Sequence, residues 1–370
     1  MKIDFLLGPV FGRGGVETVV AEISNGLRLR GHQIRVLQMY PVLFQEWLNK
    51  LPGVTYIGPP ISDPAYGQII RDFAHDAARL ADFYDKHYLP DVLLATHSPI
   101  PVLVASHAFR NRNDLRPPVV SWLHSPPEAY QPMLWMLNHA DAHIAISTDI
   151  RYKLRKCLSR EQPIYLIHNP IKQDNIRPIA RSKGDMFHFV FVGRLENREK
   201  RVDLLIESIS KLTGQFYLHL IGDGPDRDQL MKLAAVKKVS RKIKWYGWVE
   251  DPWSVILHGD LLVVPSAYEG FSMVSVEALA RGIPVLATDC GGPRDIVTEG
   301  VGWLFPPGDG NALYKILQSI LDGQILLPQQ DCCMKAARRF YINDILDKFV
   351  FMLTEMASPS RSHRKCQMFD

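Results

Sequence analysis

Residues 261–289 read LLVVPSAYEGFSMVSVEALARGIPVLATD. Four aliphatic residues in a row, Leu261 to Val264, mark a strand buried on both faces, and Pro265-Ser266 ends it. A short loop bearing Glu269, Gly270 and Phe271 leads into a helix expected from about Ser272 to Ala280, after which Pro284–Thr288 resumes as a strand. The first helical turn leaves the amides of Phe271, Ser272 and Met273 without internal partners. Together with the positive end of the helix dipole, they make a site for anionic or polar groups. Glu269 lies in the loop and Glu277 about one and a half turns into the helix. Two carboxylates so placed can accept hydrogen bonds from hydroxyls on two parts of one ligand. Two glutamates eight apart are common by chance; the setting between a buried strand and a helix start gives the pair its meaning.

The pattern extends in both directions. Upstream, Phe187–Val192 reads as strand, Arg201–Leu212 as helix, Phe216–Ile221 as strand, Arg227–Val236 as helix and Ile243–Tyr246 as strand. An earlier series begins with the apolar run Lys2–Leu7, a glycine-rich loop 8–15 and a helix with Val16, Val19, Val20, Ile23 and Leu27 at helical spacing, closed by Gly31. Strands are expected at Ile34–Met39, Asp91–Thr96, Val119–Leu123, His143–Ile146 and Tyr165–His168, with helix around Ile69–His87 and the rest of Pro41–Tyr88 unassigned. The polar stretch Lys172–Asp185, with Pro178 and Gly184, reads as a linker. The expected organisation is a first α/β domain 1–172, a second α/β domain 173–342, a helix 343–358 crossing back to the first domain, and a tail 359–370. The fold class is α/β, two Rossmann-like domains with parallel sheets.

Composition agrees with a folded two-domain protein: 370 residues, 46% hydrophobic and 22% charged. The net charge of +4 is mild and does not demand nucleic acid. Five scattered cysteines (Cys157, Cys290, Cys332, Cys333, Cys366) form no metal or disulfide framework and read as reduced thiols. Asp4 inside the first apolar run, and Gly8-Pro9 after it, favour a buried strand over a signal peptide. No stretch approaches the roughly 18–20 apolar residues a membrane span needs. The expected location is the cytoplasm, with mild basicity leaving room for peripheral contact at the inner face of the plasma membrane. The segment with Arg151, Lys153, Arg155, Lys156 and Arg160 could meet anionic headgroups, although a solvated helix face is the commoner meaning of such a run.

The usual nucleotide folds are excluded one by one. Gly12-Arg13-Gly14-Gly15 is not GxGxxG, and Gln38-Met39-Tyr40 lacks the acid that takes an NAD ribose; GxxxxGK[ST] is absent. The first loop can still present amides to an anion or sugar hydroxyl, or serve only as a turn that needs glycine. After the strand 187–192, Gly193-Arg194 and then Lys200 stand at the strand end where such folds bind ligands, so Arg194 and Lys200 could clamp a diphosphate. Arg198, Lys200 and Arg201 also fit a solvated charge run, a reading that Arg194, directly off the apolar strand, resists better.

With Gly193-Arg194…Lys200, Gly222-Asp223-Gly224-Pro225, Tyr246-Gly247-Trp248 and the Glu269/Glu277 pair, the chain resembles the retaining glycosyltransferases of family four, which have the GT-B fold; Gly14-Gly15-Val16-Glu17 is similar to that family's N-terminal GGxE. The blocks 245–253 and 266–273 look closest to bacterial lipopolysaccharide-core and related polysaccharide transferases. The resemblance implies two Rossmann-like domains facing across a cleft, the first on the acceptor side and the second on the nucleotide-sugar donor side. Glu277 would hold the ribose hydroxyls, while Glu269, with amides of Gly270, Phe271, Ser272 and Met273, would meet the donor sugar. Arg194 and Lys200, beside Gly193 and Gly222, would neutralise the diphosphate. Tyr246, Gly247 and Trp248 would read the base, usually uracil. His124 would lie near the reacting carbon, and Gly14 and Gly15 near the phosphates or the donor–acceptor junction. His124, His97 and Ser266 also have ordinary readings as strand-end or loop hydrogen-bonders.

No DxD pair stands at a plausible site, since Asp226-Arg227-Asp228 reads as a first helical turn; the cations would replace a metal ion, and no cofactor is expected. The expected reaction moves a hexose or N-acetylhexosamine, galactose or glucose favoured, from a UDP-sugar to a glycan or glycolipid with retention. A GT-B epimerase or hydrolase, which needs no acceptor, and a non-catalytic nucleotide-sugar binder are the alternatives.

Overall fold

Each apolar series builds a wholly parallel sheet. The computed structural model describes residues 1–10, 12, 14–59, 73–112, 116–174, 176–182, 184 and 186–358. The first sheet is formed by β1 (Lys2–Leu7), β2 (Gln33–Gln38), β3 (Val54–Tyr56), β4 (Val92–Thr96), β5 (Val119–Leu123), β6 (Ala142–Ala145) and β7 (Ile164–Leu166), in the order β3-β2-β1-β4-β5-β6-β7. Its helices are α1 (Gly15–Leu29), α2 (Phe73–Lys86), α3 (Ile100–Ala108) and α4 (Thr148–Cys157). β4, β5 and β6 are buried at every position, as strands covered on both faces must be.

The second sheet runs β10-β9-β8-β11-β12-β13. Its strands are β8 (Phe187–Val192), β9 (Phe216–Ile221), β10 (Ile243–Gly247), β11 (Leu261–Val264), β12 (Val285–Thr288) and β13 (Gly302–Phe305). Helices α5 (Asn197–Lys200), α6 (Val202–Ile209), α7 (Arg227–Val236), α8 (Met273–Ala280), α9 (Gly310–Leu321) and α10 (Gln330–Ala337) accompany them. Phe189, Phe191, Leu218 and Leu220 pack with Leu205 and Ile209 of α6 and Leu313 and Leu317 of α9 into one core.

Helices α3, α9 and α10 are not expected from the sequence, and other elements differ from its pattern. β3 and β13 are three- and four-residue edge strands whose positions are mostly half-buried, too short to show alternation. The expected helix 201–212 is shorter, Val202–Ile209, because Arg201 adopts a left-handed backbone (φ 48°) that separates it from the short α5 before it. Ile69, Arg13, Asp185 and the tail 359–370 lie outside the described residues.

The chain divides into one compact unit of Met1–Pro170 plus the last helix, α11 (Ile342–Ala357), and a second of Ile171–Tyr341. Ile171 pairs with Tyr341 and donates its amide to the Phe340 carbonyl, which ties both crossover segments to the second unit. α11 packs on the first unit by its apolar face. The Phe349 ring meets Trp122 edge-on at 5.1 Å, and Arg30 pairs with Asp347 at 2.6 Å. A Cβ on Gly26 would lie 2.5 Å from Leu346 Cδ1, so close approach requires glycine there.

Asp4, the charge inside the first apolar run, lies fully buried in β1 and pairs with Arg35 of β2, its register partner, at 2.6 Å. The Tyr84 hydroxyl donates to the same carboxylate at 2.6 Å. Burial raises the Asp4 pKa, against the opposing pull of Arg35 and Tyr84. Removing the acid strands a guanidinium that is 11% exposed. Asp4→Ala is expected to lower the unfolding free energy by roughly 3–5 kcal/mol in chemical denaturation; a loss below about 1 kcal/mol would show that the pair is not a structural requirement.

Candidate functional site

In the second sheet the strand order reverses between β8 and β11, and the crevice at such a switch point, beyond the carboxyl ends of the strands, is where open parallel sheets bind ligands. The segments after these two strands are bound to each other. The Ala267 amide donates to the Glu199 carbonyl at 2.8 Å. Lys200 Nζ lies 2.9 Å from Glu269 Oε1 and 2.9 Å from Glu199 Oε1. Ser266 Oγ donates to the same Glu269 oxygen at 2.8 Å, leaving Oε2 without a hydrogen bond among the described residues. Burial opposes the charge on Lys200, but the carboxylates of Glu269 and Glu199 outweigh it and raise its pKa. From the β12 side, the Gly292 amide donates to the Glu269 carbonyl at 3.2 Å. A Cβ on Gly292 would lie 2.6 Å from the backbone of Gly270 and Phe271, so the loop carrying Glu269 is pressed from both sides. Burial, then Glu269, pushes the neighbouring Cys290 thiol up to about 12.

Helix α8 begins one residue later than expected. Ser272 takes a left-handed backbone (φ 85°) and its hydroxyl lies 2.7 Å from that of Ser275, so Met273 is the first helical residue and Phe271 and Ser272 precede the helix. The Phe271 ring is buried edge-on against Phe340 at 5.4 Å. Glu277 is half-buried, and its Oε2 accepts the Trp253 indole N–H at 2.9 Å; Oε1 has no partner among the described residues. Arg281 caps the arrangement: it donates to the Glu277 carbonyl and lies over the Trp253 ring at 4.9 Å. Burial raises the Glu277 pKa, while the Trp253 hydrogen bond and Arg281 pull it down. Trp253 fixes the Glu277 carboxylate from a short turn that the fold brings to α8, a contact that spacing along the chain does not show.

Gly193, Gly222 and Gly247 meet at the strand ends. Gly222 (φ 142°) donates its amide to the Gly247 carbonyl at 2.8 Å, and a Cβ on it would lie 1.8 Å from the Gly193 carbonyl oxygen. Tyr246 Oη lies 2.8 Å from His219 Nδ1, which fixes the strand leading to Gly247, and Trp248 is 56% exposed. Arg194 is half exposed and donates to Glu196 at 3.0 Å. Lys200 and Glu269 are thus in direct contact, Glu277 is held separately on α8, and Arg194 stands apart at the surface.

In the first unit the reversal falls between β1 and β4. The Gly8 amide donates to the Thr96 carbonyl at 3.1 Å, and Gly12 donates its amide to the buried Glu17 carboxylate at 3.0 Å. Gly14 (φ 153°) precedes Gly15, the first residue of α1. His124 is buried after β5, with Nε2 3.1 Å from Thr96 Oγ1 and Nδ1 without a partner. The His97 ring, on a left-handed backbone (φ 74°), stands 6.0 Å from the His124 ring with both nitrogens unpartnered. Burial pushes His97 down to about 4, and burial and then His97 push His124 well below its ordinary value, so both rings are neutral.

The family description Glycosyltransferase Family 4 matches residues 13–175 and Glycosyl transferases group 1 matches residues 172–340. The chain is 30% identical over 337 residues, 88% of its length, to the lipopolysaccharide 1,6-galactosyltransferase of Escherichia coli K12, of which it covers 90%. The chain belongs to glycosyltransferase family 4. The Salmonella typhimurium lipopolysaccharide 1,6-galactosyltransferase is 28% identical over 356 residues, 92% of this chain and 95% of that one. Among solved structures, the apo form of the lipopolysaccharide outer core galactosyltransferase WaaB aligns with a TM-score of 0.82 at 25% identity, covering 96% of this glycosyltransferase and 99% of WaaB. Anabaena HepE in complex with UDP shares the fold, with a TM-score of 0.78 at 21% identity over 96% of this chain and all of that one. The glycosyltransferase therefore has the GT-B fold, built from its two Rossmann-like units. Among the described residues, no helix is long and apolar enough to cross a membrane.

The depressed imidazoles give the glycosyltransferase an acid-sensitive first unit. Below pH 6.5 the unfolded chain takes up protons that His97 refuses until about pH 4, so stability falls as pH falls through that window. His97→Asn, a residue that tolerates the left-handed backbone, is expected to flatten the slope of unfolding free energy against pH between 6.5 and 4 by up to about 1.4 kcal/mol per pH unit. An unchanged slope would place the proton uptake elsewhere.

Proposed function

We propose that this glycosyltransferase moves a hexose or N-acetylhexosamine, galactose or glucose favoured, from a UDP-sugar to a glycan or glycolipid acceptor in lipopolysaccharide or related cell-surface polysaccharide synthesis, with retention at the anomeric carbon. The reading is carried by the Lys200–Glu269–Ser266 constellation at the switch point, in a chain whose relatives of near-equal length are named lipopolysaccharide galactosyltransferases.

Breaking the bond between sugar and diphosphate develops negative charge on the leaving group, and preorganised cations and helix amides there lower the barrier. Lys200, held charged by its carboxylate neighbours, supplies a fixed cation. Arg194, half exposed and paired with Glu196 in a solvent-screened ion pair, supplies a second cation. The first amides of α8 add the helix dipole. Glu269 is anchored through Oε1, which leaves Oε2 to accept from a donor-sugar hydroxyl. Glu277 is anchored through Oε2, which leaves Oε1 for the ribose. His124, neutral and with Nδ1 open, is assigned on the family resemblance to a hydrogen bond with the transferred sugar. The cations take the place of a metal ion in this reading, and the departing phosphate helps to deprotonate the acceptor.

Glu277→Ala is expected to reduce kcat/KM for UDP-sugars by roughly 10- to 100-fold, the worth of a charge-assisted hydrogen bond. Turnover near wild type would reject the ribose assignment, as abolition of activity by a chelator would reject the metal-free one. A panel of nucleotide sugars scored for UDP release, with and without acceptor, identifies the donor; complete turnover of donor alone would favour an epimerase or hydrolase instead. Donor affinity should fall with pH as Glu277 protonates, above the ordinary glutamate range. In Trp253→Phe, which loses the hydrogen bond that favours the carboxylate, the loss should begin at still higher pH; a profile that does not move would remove Trp253 from the positioning role.

A further inference from the structure

At the opposite end of the first sheet, where β5 and β6 begin, a cavity of about 480 Å³ is lined by Arg110, Arg116 and Arg160 with Ser106, Asn138 and His139. Arg110 follows α3, Arg116 leads into β5 and Arg160 leads towards β7. Five residues of β5 at about 3.3 Å each put roughly 16 Å between this cavity and His124 at the strand's far end. The cavity is therefore separate from the carboxyl-end crevice of the same sheet.

Its charge is one-sided. Asp141 answers Arg116 with two hydrogen bonds of 2.8 Å. Among the described residues, Arg160 meets a backbone oxygen, the Ala140 carbonyl at 2.9 Å, and no carboxylate. Among the same residues Arg110 has neither an ionic nor a hydrogen-bond partner, and none of the described lining side chains is a carboxylate. Burial, then His107 and Arg160, lowers the His139 pKa. Asn138 is committed to the wall: it donates to the Trp135 carbonyl and accepts from the amide and hydroxyl of Ser159. The Arg110 fork and the remaining N–H groups of Arg160, at one concave site, match the tetrahedral oxygens of a phosphate.

We propose that this cavity binds a phosphate group, gripped by Arg110 and Arg160 and flanked by His139. The group comes either from a phospholipid headgroup or from a soluble phosphate ester. Trp135, 54% exposed, has its ring 6.0 Å from that of His139, and Tyr152 of the basic helix α4 is 57% exposed under Lys156, so the surroundings suit a membrane interface as well.

Titration of inorganic phosphate into the full chain, followed on the His139 ring resonances by NMR, is expected to give a saturable shift. In Arg110→Gln/Arg160→Gln the apparent affinity should drop at least about tenfold, while the thermal midpoint and the rate of UDP release from donor stay unchanged. If the double variant loses its cooperative transition, Arg110→Gln alone decides, because that side chain holds nothing in place. Wild-type sedimentation with phosphatidylglycerol-containing vesicles, competed by phosphate and lost in the variant, identifies the headgroup; a phosphate response without vesicle binding identifies the soluble ester. His139 resonances that ignore phosphate, or that respond equally in the variant, overturn the proposal.

Discussion

The Lys200–Glu269 ion pair joins residues 69 apart in sequence and fastens the segments that follow two adjacent, oppositely connected strands. A half-dry cation and a half-dry carboxylate tolerate burial only in each other's company, so neither loop can relax independently. Around that contact the rest of the second unit's site is set. Ser266 takes up the remaining freedom of Glu269, Gly292 presses the loop from the β12 side, and the left-handed Ser272 turns the chain into α8, where Glu277 is carried. Each carboxylate is held by one oxygen and offers the other, a division that fixes orientation while preserving an acceptor.

The two cations differ in kind. Lys200 is embedded between two carboxylates that favour its charge; Arg194 is half exposed and pairs with Glu196 at the solvent-facing edge. A fixed charge contributes preorganisation and an exposed one adapts to the leaving group, so removing them has different consequences for binding and for chemistry.

Much of this was legible in the letters. Strands such as β8 and β11 announce themselves by strongly apolar runs, and Gly193-Arg194 and Glu269 are readable because they follow such runs. What was not legible depends on contacts distant in sequence or on rare backbone states. Trp253 is 24 residues from Glu277 and reaches it only through the fold. Nothing in a serine or arginine foretells the left-handed geometry of Ser272 and Arg201, which moves the start of α8 and of α6 by one residue each. β3 and β13 are too short for alternation to register. The cavity at the amino ends of β5 and β6 draws on three separate connections, so its arginines look like scattered surface charge until the sheet assembles them.

The return of α11 to the first unit makes that unit discontinuous: its final helix is encoded after the whole of Ile171–Tyr341. During synthesis Trp122 must wait for Phe349, 227 residues later, and Gly26 for Leu346, 320 residues later. The second unit is continuous in the chain and can close its own sheet before the first has its last covering helix. The order in which the ribosome delivers the lobes is thus the reverse of the order in which they can be completed.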